Sequence, residues 1–389
     1  MSVAVRPLPL ASRNAPAMDW MLLLAVAALI GLGIVMVSSA SLHLGGDSGS
    51  FRYLGKHLIA LGLGLSAAFG ALQIPSNWWE KASTWLYFFG LLLLAVVLIP
   101  GLGKTVNGAT RWVALGPFNL QTSEFMKLFM IFYMAGYLVR RQVEVAYTVW
   151  GVIKPLLLLT VAVFMLMAQP DFGTTVVLLA TALGLLFLGG APLWQFALLL
   201  LLAVLGGAVL VITSPYRMER VTSFLNPWAD PLDSGYQLSQ ALIAFGRGEW
   251  TGVGLGNGIQ KQFYLPEAHT DFIMAVIGEE FGLLGTLTVI ALFSALVWRA
   301  FSIGAAAEAM QRRFAAYVSY GIGLWLGMQA FVNIGVNVGL LPTKGLTLPF
   351  ISYGSNSMII ACLAIGVLLR IHWENVTGRH GPGGPPWRG

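Results

Sequence analysis

Residues 20–37 read Trp20-Met-Leu-Leu-Leu-Ala-Val-Ala-Ala-Leu-Ile-Gly-Leu-Gly-Ile-Val-Met-Val37, a run without one charged side chain. An α-helix rises 1.5 Å per residue and needs about 20 apolar residues to cross a bilayer core of about 30 Å. The run therefore predicts a membrane span, and the chain repeats the pattern. Runs of this kind fall at 19–41, 57–74, 83–100, 122–139, 150–169, 174–190, 194–213, 272–298, 315–341 and 355–372. The expected fold is all-α and integral to the membrane, with ten transmembrane helices and a long extracytoplasmic loop, 214–271, between spans 7 and 8. Runs five and six are short and separated only by Pro170-Asp171-Phe172-Gly173, so a re-entrant pair is the alternative there. Residues 1–18 form an N-terminal cytoplasmic segment, 19–374 the membrane domain, and 375–389 a flexible cytoplasmic tail.

Composition agrees. The chain is 57% hydrophobic and 10% charged, with mean hydropathy +0.77, whereas a soluble domain carries roughly a quarter charged residues. Membrane lipid must surround much of this surface. The net charge of +6 points to no nucleic acid, because most basic residues stand singly at the ends of apolar runs, as membrane-flanking anchors do. Lys261 counts among these flanking cations. Cys362 is the only cysteine, so no internal disulfide forms. Arg6 and Arg13 precede a run too long for a signal-peptide core, so the first span is retained. An even span count puts both termini on one face. A slight excess of basic residues there, with Arg140-Arg141 and Arg312-Arg313, makes that face cytoplasmic. There is no convincing internal repeat, which weighs against an inverted-repeat transporter.

Most acidic residues gather on the opposite face, and four stretches there are candidates for chemistry. In Tyr264-Leu-Pro-Glu-Ala-His-Thr-Asp-Phe272, Thr270 or Asp271 can cap the next helix, or Asp271 can act as a general base. A carboxylate at the water–lipid boundary is partly desolvated, which raises its pKa into a useful range. His269 tunes Asp271 or faces water, the second being favoured. Glu279 and Glu280 lie inside the apolar run, where ionisable groups are costly and must turn toward protein, as hydrogen-bonded structure or as chemistry. In 103–127, Asn107-Gly108 reads as a tight turn. Arg111 anchors at the interface or grips an anion. Ser123 and Glu124 read as caps, and Lys127, three residues after Glu124, pairs with it or binds phosphate. In 341–357, paired prolines and glycines force irregular backbone that needs protein or a wet cavity beside it, so Lys344 is cavity-facing and Ser352 offers a hydroxyl to a sugar or phosphate. Arg217 and Arg220 add cations ahead of a glycine run, 252–258, that lacks the context of a nucleotide site. No metal-ligand spacing occurs.

These stretches, in this order and over nearly the whole chain from Met36-Val-Ser-Ser-Ala-Ser41 onward, resemble the SEDS family (shape, elongation, division and sporulation). The most specific are Asn107-Gly-Ala-Thr-Arg-Trp112, the 264–272 motif, and Pro342-Thr-Lys-Gly-Leu-Thr-Leu-Pro349, the last in its cell-division form. One departure stands out: the family's Ser-Tyr-Gly-Gly-Ser-Ser reads Ser352-Tyr-Gly-Ser-Asn-Ser357. The resemblance implies an inner-membrane peptidoglycan glycosyltransferase that polymerises lipid II at the division septum. It also implies a division-specific class B penicillin-binding protein as partner, together with other divisome membrane proteins. Asp271 takes the place of the family's essential aspartate. The donor carries a pyrophosphate leaving group, so the reaction needs a base and stabilising cations more than a strong acid. Asp271 is the expected base. Arg111, Lys127, Arg217, Arg220 and Lys344 are candidate cations, and a divalent cation (Mg2+ or Mn2+) held by Asp271 could share their task. Lipid II would enter sideways through a groove beneath the 214–271 loop. The alternatives are a lipid II flippase and a non-catalytic division scaffold.

Overall fold

The computed structural model describes residues 18–41, 46–106, 109–115, 118–343 and 345–378. Its helices are α1 (Trp20–Ser41), α2 (Gly46–Gln73), α3 (Ser76–Leu98), α4 (Thr122–Arg140), α5 (Gln142–Tyr147), α6 (Val149–Ala168), α7 (Phe172–Leu188), α8 (Leu193–Ile212), α9 (Pro215–Leu225), α10 (Tyr236–Gly248), α11 (Ile273–Ala309), α12 (Arg313–Asn337) and α13 (Ser355–Thr377). Their ends follow local chemistry. Pro215 opens α9, where its missing N–H would be unsatisfied anyway, and Gly378 closes α13 at φ 67°.

Among the described residues, eight helices are long and apolar enough to cross a membrane: α1, α2, α3, α6, α8, α11, α12 and α13. Two further apolar runs of the sequence also become helices. α7 has 17 residues, and α4 carries Glu124, Lys127 and Arg140. α4 escapes the need for an apolar surface because protein covers it, with residues from Thr122 to Leu138 almost all buried. By contrast α8 shows most of its surface, as a lipid-facing helix does.

The expectation of an all-α chain needs correction. Residues 103–121 hold a three-stranded antiparallel sheet, β1 (Gly103–Val106), β2 (Ala109–Leu115) and β3 (Phe118–Gln121). Thr, Val and Trp along Thr110-Arg-Trp-Val favour extended backbone, and Asn-Gly is a hairpin dipeptide. The tight turn read at Asn107-Gly108 lies outside the described residues. The 214–271 segment is also no plain loop, since it contains α9 and α10. α10 buries Leu238, Ala241 and Ala244, and its Gly248 lies against the Gly278 carbonyl of α11.

α11 is broken. Gly282 sits at φ 63°, ψ −157°, conformational territory open essentially to glycine alone. The break frees backbone groups that lipid could not satisfy, and the 248–254 stretch satisfies them. The Val253 and Gly254 N–H groups donate to the Glu279 and Glu280 carbonyls (3.0 and 3.1 Å), while Leu283 and Leu284 donate to the carbonyls of Glu249 and Trp250 (2.9 and 3.1 Å). The result is a short buried rod, residues 273–281, followed by a long outer helix.

A Cβ at position 282 would meet the Gly252 nitrogen at 2.5 Å and the Trp250 carbonyl carbon at 2.6 Å. Gly282→Ala should therefore destabilise the protein by about 1–3 kcal/mol or more from backbone strain alone. A thermal melt in detergent checks this, and an unchanged melting temperature would contradict the geometry.

Candidate functional site

Asp271 stands two residues before the rod. The capping readings do not hold: α11 begins after Phe272 with no side chain capping it, and Thr270 bonds back to Glu267 (2.7 Å). Instead, amides of α12 hold the Asp271 backbone. Asn333 and Asn337 each donate to its carbonyl oxygen at 2.9 Å, and Asn337 also accepts from Ala275 N–H at 3.1 Å. Asn333 reaches the Leu346 carbonyl too, at 2.5 Å, binding the 342–354 stretch into the same cluster.

That stretch runs alongside the 264–272 motif. Ser352 donates to the Thr270 carbonyl (2.6 Å) and accepts from Leu348 N–H (2.8 Å), so its hydroxyl is engaged in structure. Tyr353 N–H donates to the His269 carbonyl (2.9 Å). The His269 ring lies between Tyr53 and Tyr353, with centroids 5.1 and 5.6 Å away, rather than simply facing water. Burial pulls its pKa down, with Glu267 opposing. Glu267 and Phe350 hold left-handed backbone (φ 56° and 66°), strain that persists only where surroundings fix the chain.

The Asp271 carboxyl faces Gly345, where a Cβ would come within 2.8 Å of its Oδ2. Desolvation pushes its pKa up to about 7. Glu267 adds to the rise, and Arg111 and Arg220 oppose it. Both arginines therefore lie within electrostatic reach of the carboxylate. Arg111, on β2, donates to the carbonyls of Pro170 (2.5 Å) and Gln169 (3.4 Å), and Arg220 donates to that of Thr343 (3.1 Å). Asp171 caps α7 through Thr174 N–H (3.4 Å). Lys344 and the side chain of Arg217 lie outside the described residues.

Lys127 is buried, with Glu124 Oε1 at 2.9 Å, Gln329 Oε1 at 2.7 Å and the Trp325 ring centroid at 5.2 Å. Gln329 in turn donates to the Thr347 carbonyl at 2.9 Å, so the pair supports the 342–354 stretch from below. Ser123 and Glu124 do not cap α4, whose cap is Gln121 without a side-chain bond. Glu279 and Glu280 both turn inward. Glu279 accepts from Ile259 and Gln260 N–H (2.9 and 3.1 Å) and from Arg247 (3.2 Å). Glu280 pairs with Lys261 (2.5 Å), both fully buried. Lys261 is thus no flanking anchor, because a carboxylate inside the bundle needed a cation. Sequence reasoning also missed Asn333 and Asn337. Their signal was two amides four residues apart, on one face of an apolar helix.

Among the described residues, no group of three or more His, Cys, Asp or Glu is arranged to hold a metal ion. A 570 Å³ cavity lies at the α11 break, walled by Phe245, Trp250 and Leu283, but it includes none of the residues around Asp271. Asp271, rather than that cavity, is the candidate site.

The profile of the family described as "Cell cycle protein" (FTSW_RODA_SPOVE) matches residues 19–377. A relative from Allochromatium vinosum, "Probable peptidoglycan glycosyltransferase FtsW", is 58% identical over 370 residues, covering 94% of this chain and 93% of its own. The same description belongs to a relative from Nitrosococcus halophilus, 56% identical over 93% of this chain and 94% of its own. A chain of a solved peptidoglycan synthase complex, described as coordinating polymerization and crosslinking, superposes with TM-score 0.75 at 32% identity, over 93% of this chain and 99% of its own. The rod shape determining protein RodA of Thermus thermophilus superposes with TM-score 0.69 at 28% identity, over 93% and 99%.

Because folding raises the Asp271 pKa, the folded state binds that proton more tightly than the unfolded chain does. Its stabilising contribution is complete below the unfolded value near 3.8 and is lost as pH rises through about 7. Asp271→Asn should therefore melt with wild type at pH 4 and above it at pH 8. Equal melting temperatures at both pH values would contradict the desolvation.

Proposed function

From the membership of this chain in the SEDS family of cell cycle proteins, we propose that it is a membrane glycosyltransferase polymerising lipid II into glycan strands for septal wall synthesis. The observation that carries the reading is Asp271, a carboxyl at the foot of a buried rod whose pKa lies near neutrality. A general base works best when its pKa is close to the working pH.

In the proposed step the acceptor sugar's 4-hydroxyl attacks the anomeric carbon of the lipid-linked donor. Its proton passes to Asp271 as the new C–O bond forms. The bond from that carbon to the undecaprenyl pyrophosphate breaks, and the leaving group carries away the electron pair. Arg111 and Arg220, the cations that act on Asp271, would stabilise the charge growing on the pyrophosphate. Arg217 and Lys344 remain candidates for the same task. Lys127, held between Glu124 and Gln329, is better suited to supporting the site than to gripping substrate.

A caged resident metal does not fit the described residues. A Mg2+ or Mn2+ ion arriving with the pyrophosphate needs only one or two protein carboxylates. Asp271 would be one, and the ion would supply further charge neutralisation.

α4 and α7 complete ten spans, the termini are cytoplasmic, and Asp271 faces the outer side. The solved complex that this chain resembles pairs polymerization with crosslinking, which supports a transpeptidase partner, here a division-specific class B penicillin-binding protein among other divisome proteins.

Purified with its partner, the protein should convert lipid II into glycan strands, and Asp271→Ala should abolish synthesis while leaving membrane insertion intact. Transbilayer movement of fluorescent lipid II without strand synthesis by the wild type would overturn the polymerase in favour of a flippase. The polymerisation rate should fall roughly tenfold per pH unit below about pH 6, on an acid limb with its midpoint near 7. Glu267→Gln should move that midpoint down, since Glu267 raises the Asp271 pKa. A midpoint that stays put or moves up would refute this arrangement of charges.

A further inference from the structure

The rod 273–281 ends in a second polar cluster that the proposed reaction does not use. Lys261 Nζ lies 2.5 Å from Glu280 Oε1 and 2.6 Å from Ser39 Oγ of α1, and that hydroxyl reaches both Glu280 oxygens at 3.0 Å. Lys261 and Glu280 are fully buried. Beside them, Glu279 collects the Ile259 and Gln260 N–H groups and Arg247. Gly258 fits between, since a Cβ there would meet Glu279 Oε2 at 2.9 Å and Glu280 Oε1 at 3.0 Å.

Two covalent routes lead from this cluster to Asp271. One is the rod itself, nine helical residues or about 14 Å, too short to bend appreciably. The other is the loop, since Lys261 lies ten residues before Asp271 and Leu265 N–H bonds back to the Gln260 carbonyl at 2.8 Å. That loop includes Phe263 at φ 70°, a left-handed conformation that needs outside restraint. Lys261 sits on the loop, Glu280 on the rod and Ser39 on a different span, so their contact fixes loop and rod to each other and to the bundle.

We infer that Lys261 and Glu280, bridged by Ser39, are positioning residues that set where the Asp271 carboxylate stands relative to the sugar. This rests on the glycosyltransferase reading above. The competing role is stability alone, and buried ion pairs differ from that role in a testable way. Replacing both partners with apolar residues of similar volume is often neutral or stabilising for a fold, while the directional bonds are lost.

The experiment compares the double variant Lys261→Met/Glu280→Leu with wild type, each with its partner, measuring melting temperature and the kcat and KM for lipid II. The expected result is a melting temperature at or above wild type, a KM within threefold, and a kcat lowered at least tenfold. A folded double variant with kcat within threefold of wild type overturns the inference. Should the double variant fail to fold, Ser39→Ala removes only the bridging hydroxyl. It should lower kcat about threefold or more at unchanged KM, and a wild-type kcat there overturns the inference equally. Asp271→Ala, with the Lys261–Glu280 contact intact, is the control: strand synthesis by that variant would sink the general-base reading itself rather than the positioning role.

Discussion

The rod from Ile273 to Phe281 is gripped at both ends. Two amides of α12 hold the Asp271 carbonyl at the front, and the carboxylates of Glu279 and Glu280 fasten the back to the loop that folds over the break. A nine-residue helix has little stability alone, so tertiary contacts must supply its order. The position of the carboxylate at its foot therefore depends on polar groups from α1, α12 and the 249–261 loop together. The same confinement that orders Asp271 leaves it only partly in contact with water, and that desolvation raises its pKa.

Buried charge is the recurring device of this bundle. Glu374 on α13 accepts from Arg370 (2.8 Å), from Arg312 at the start of α12, and from the Ser76 N–H and hydroxyl at the start of α3 (3.0 and 2.6 Å). Asp19 ahead of α1 pairs with Arg299 of α11 at 2.6 Å. Each contact except the Arg370 pair, which lies within α13, joins different helices, and those of Ser76 with Glu374 and of Arg299 with Asp19 join opposite ends of the chain. Apolar side chains against lipid tails give little preference for one helix neighbour over another. Unpaired charge inside the bundle is strongly disfavoured, so these pairs define which helix ends meet.

Much of this was legible in the sequence because spans announce themselves by length and apolarity alone. The ten runs all became helices, and the 264–272 and 342–354 stretches lie bonded side by side. The sheet at 103–121 was missed because its strands are short, and α9 and α10 because Pro, Gly and Trp along 214–258 read as loop. α11 runs on to Ala309, past the expected end at 298, because Arg299 closes the apolar run while the alanines beyond it, Ala305 to Ala307, still favour helix. Lys261 and Arg312 looked like surface anchors because single-sequence reading sees a charge's neighbours in the chain and not its partner across the fold. Asn356, the departure from the family pattern, donates to the Asn119 carbonyl of β3 at 2.8 Å, a contact no spacing rule foretells.

Everything turns on a carboxyl at the foot of the rod that holds its proton until near-neutral pH. Difference infrared spectroscopy of the protein in lipid, titrated from pH 4 to 9, reads this directly as a protonated carboxyl band absent in Asp271→Asn. The band should disappear with a midpoint of about 7. A midpoint near the ordinary aspartate value of about 4 would contradict it.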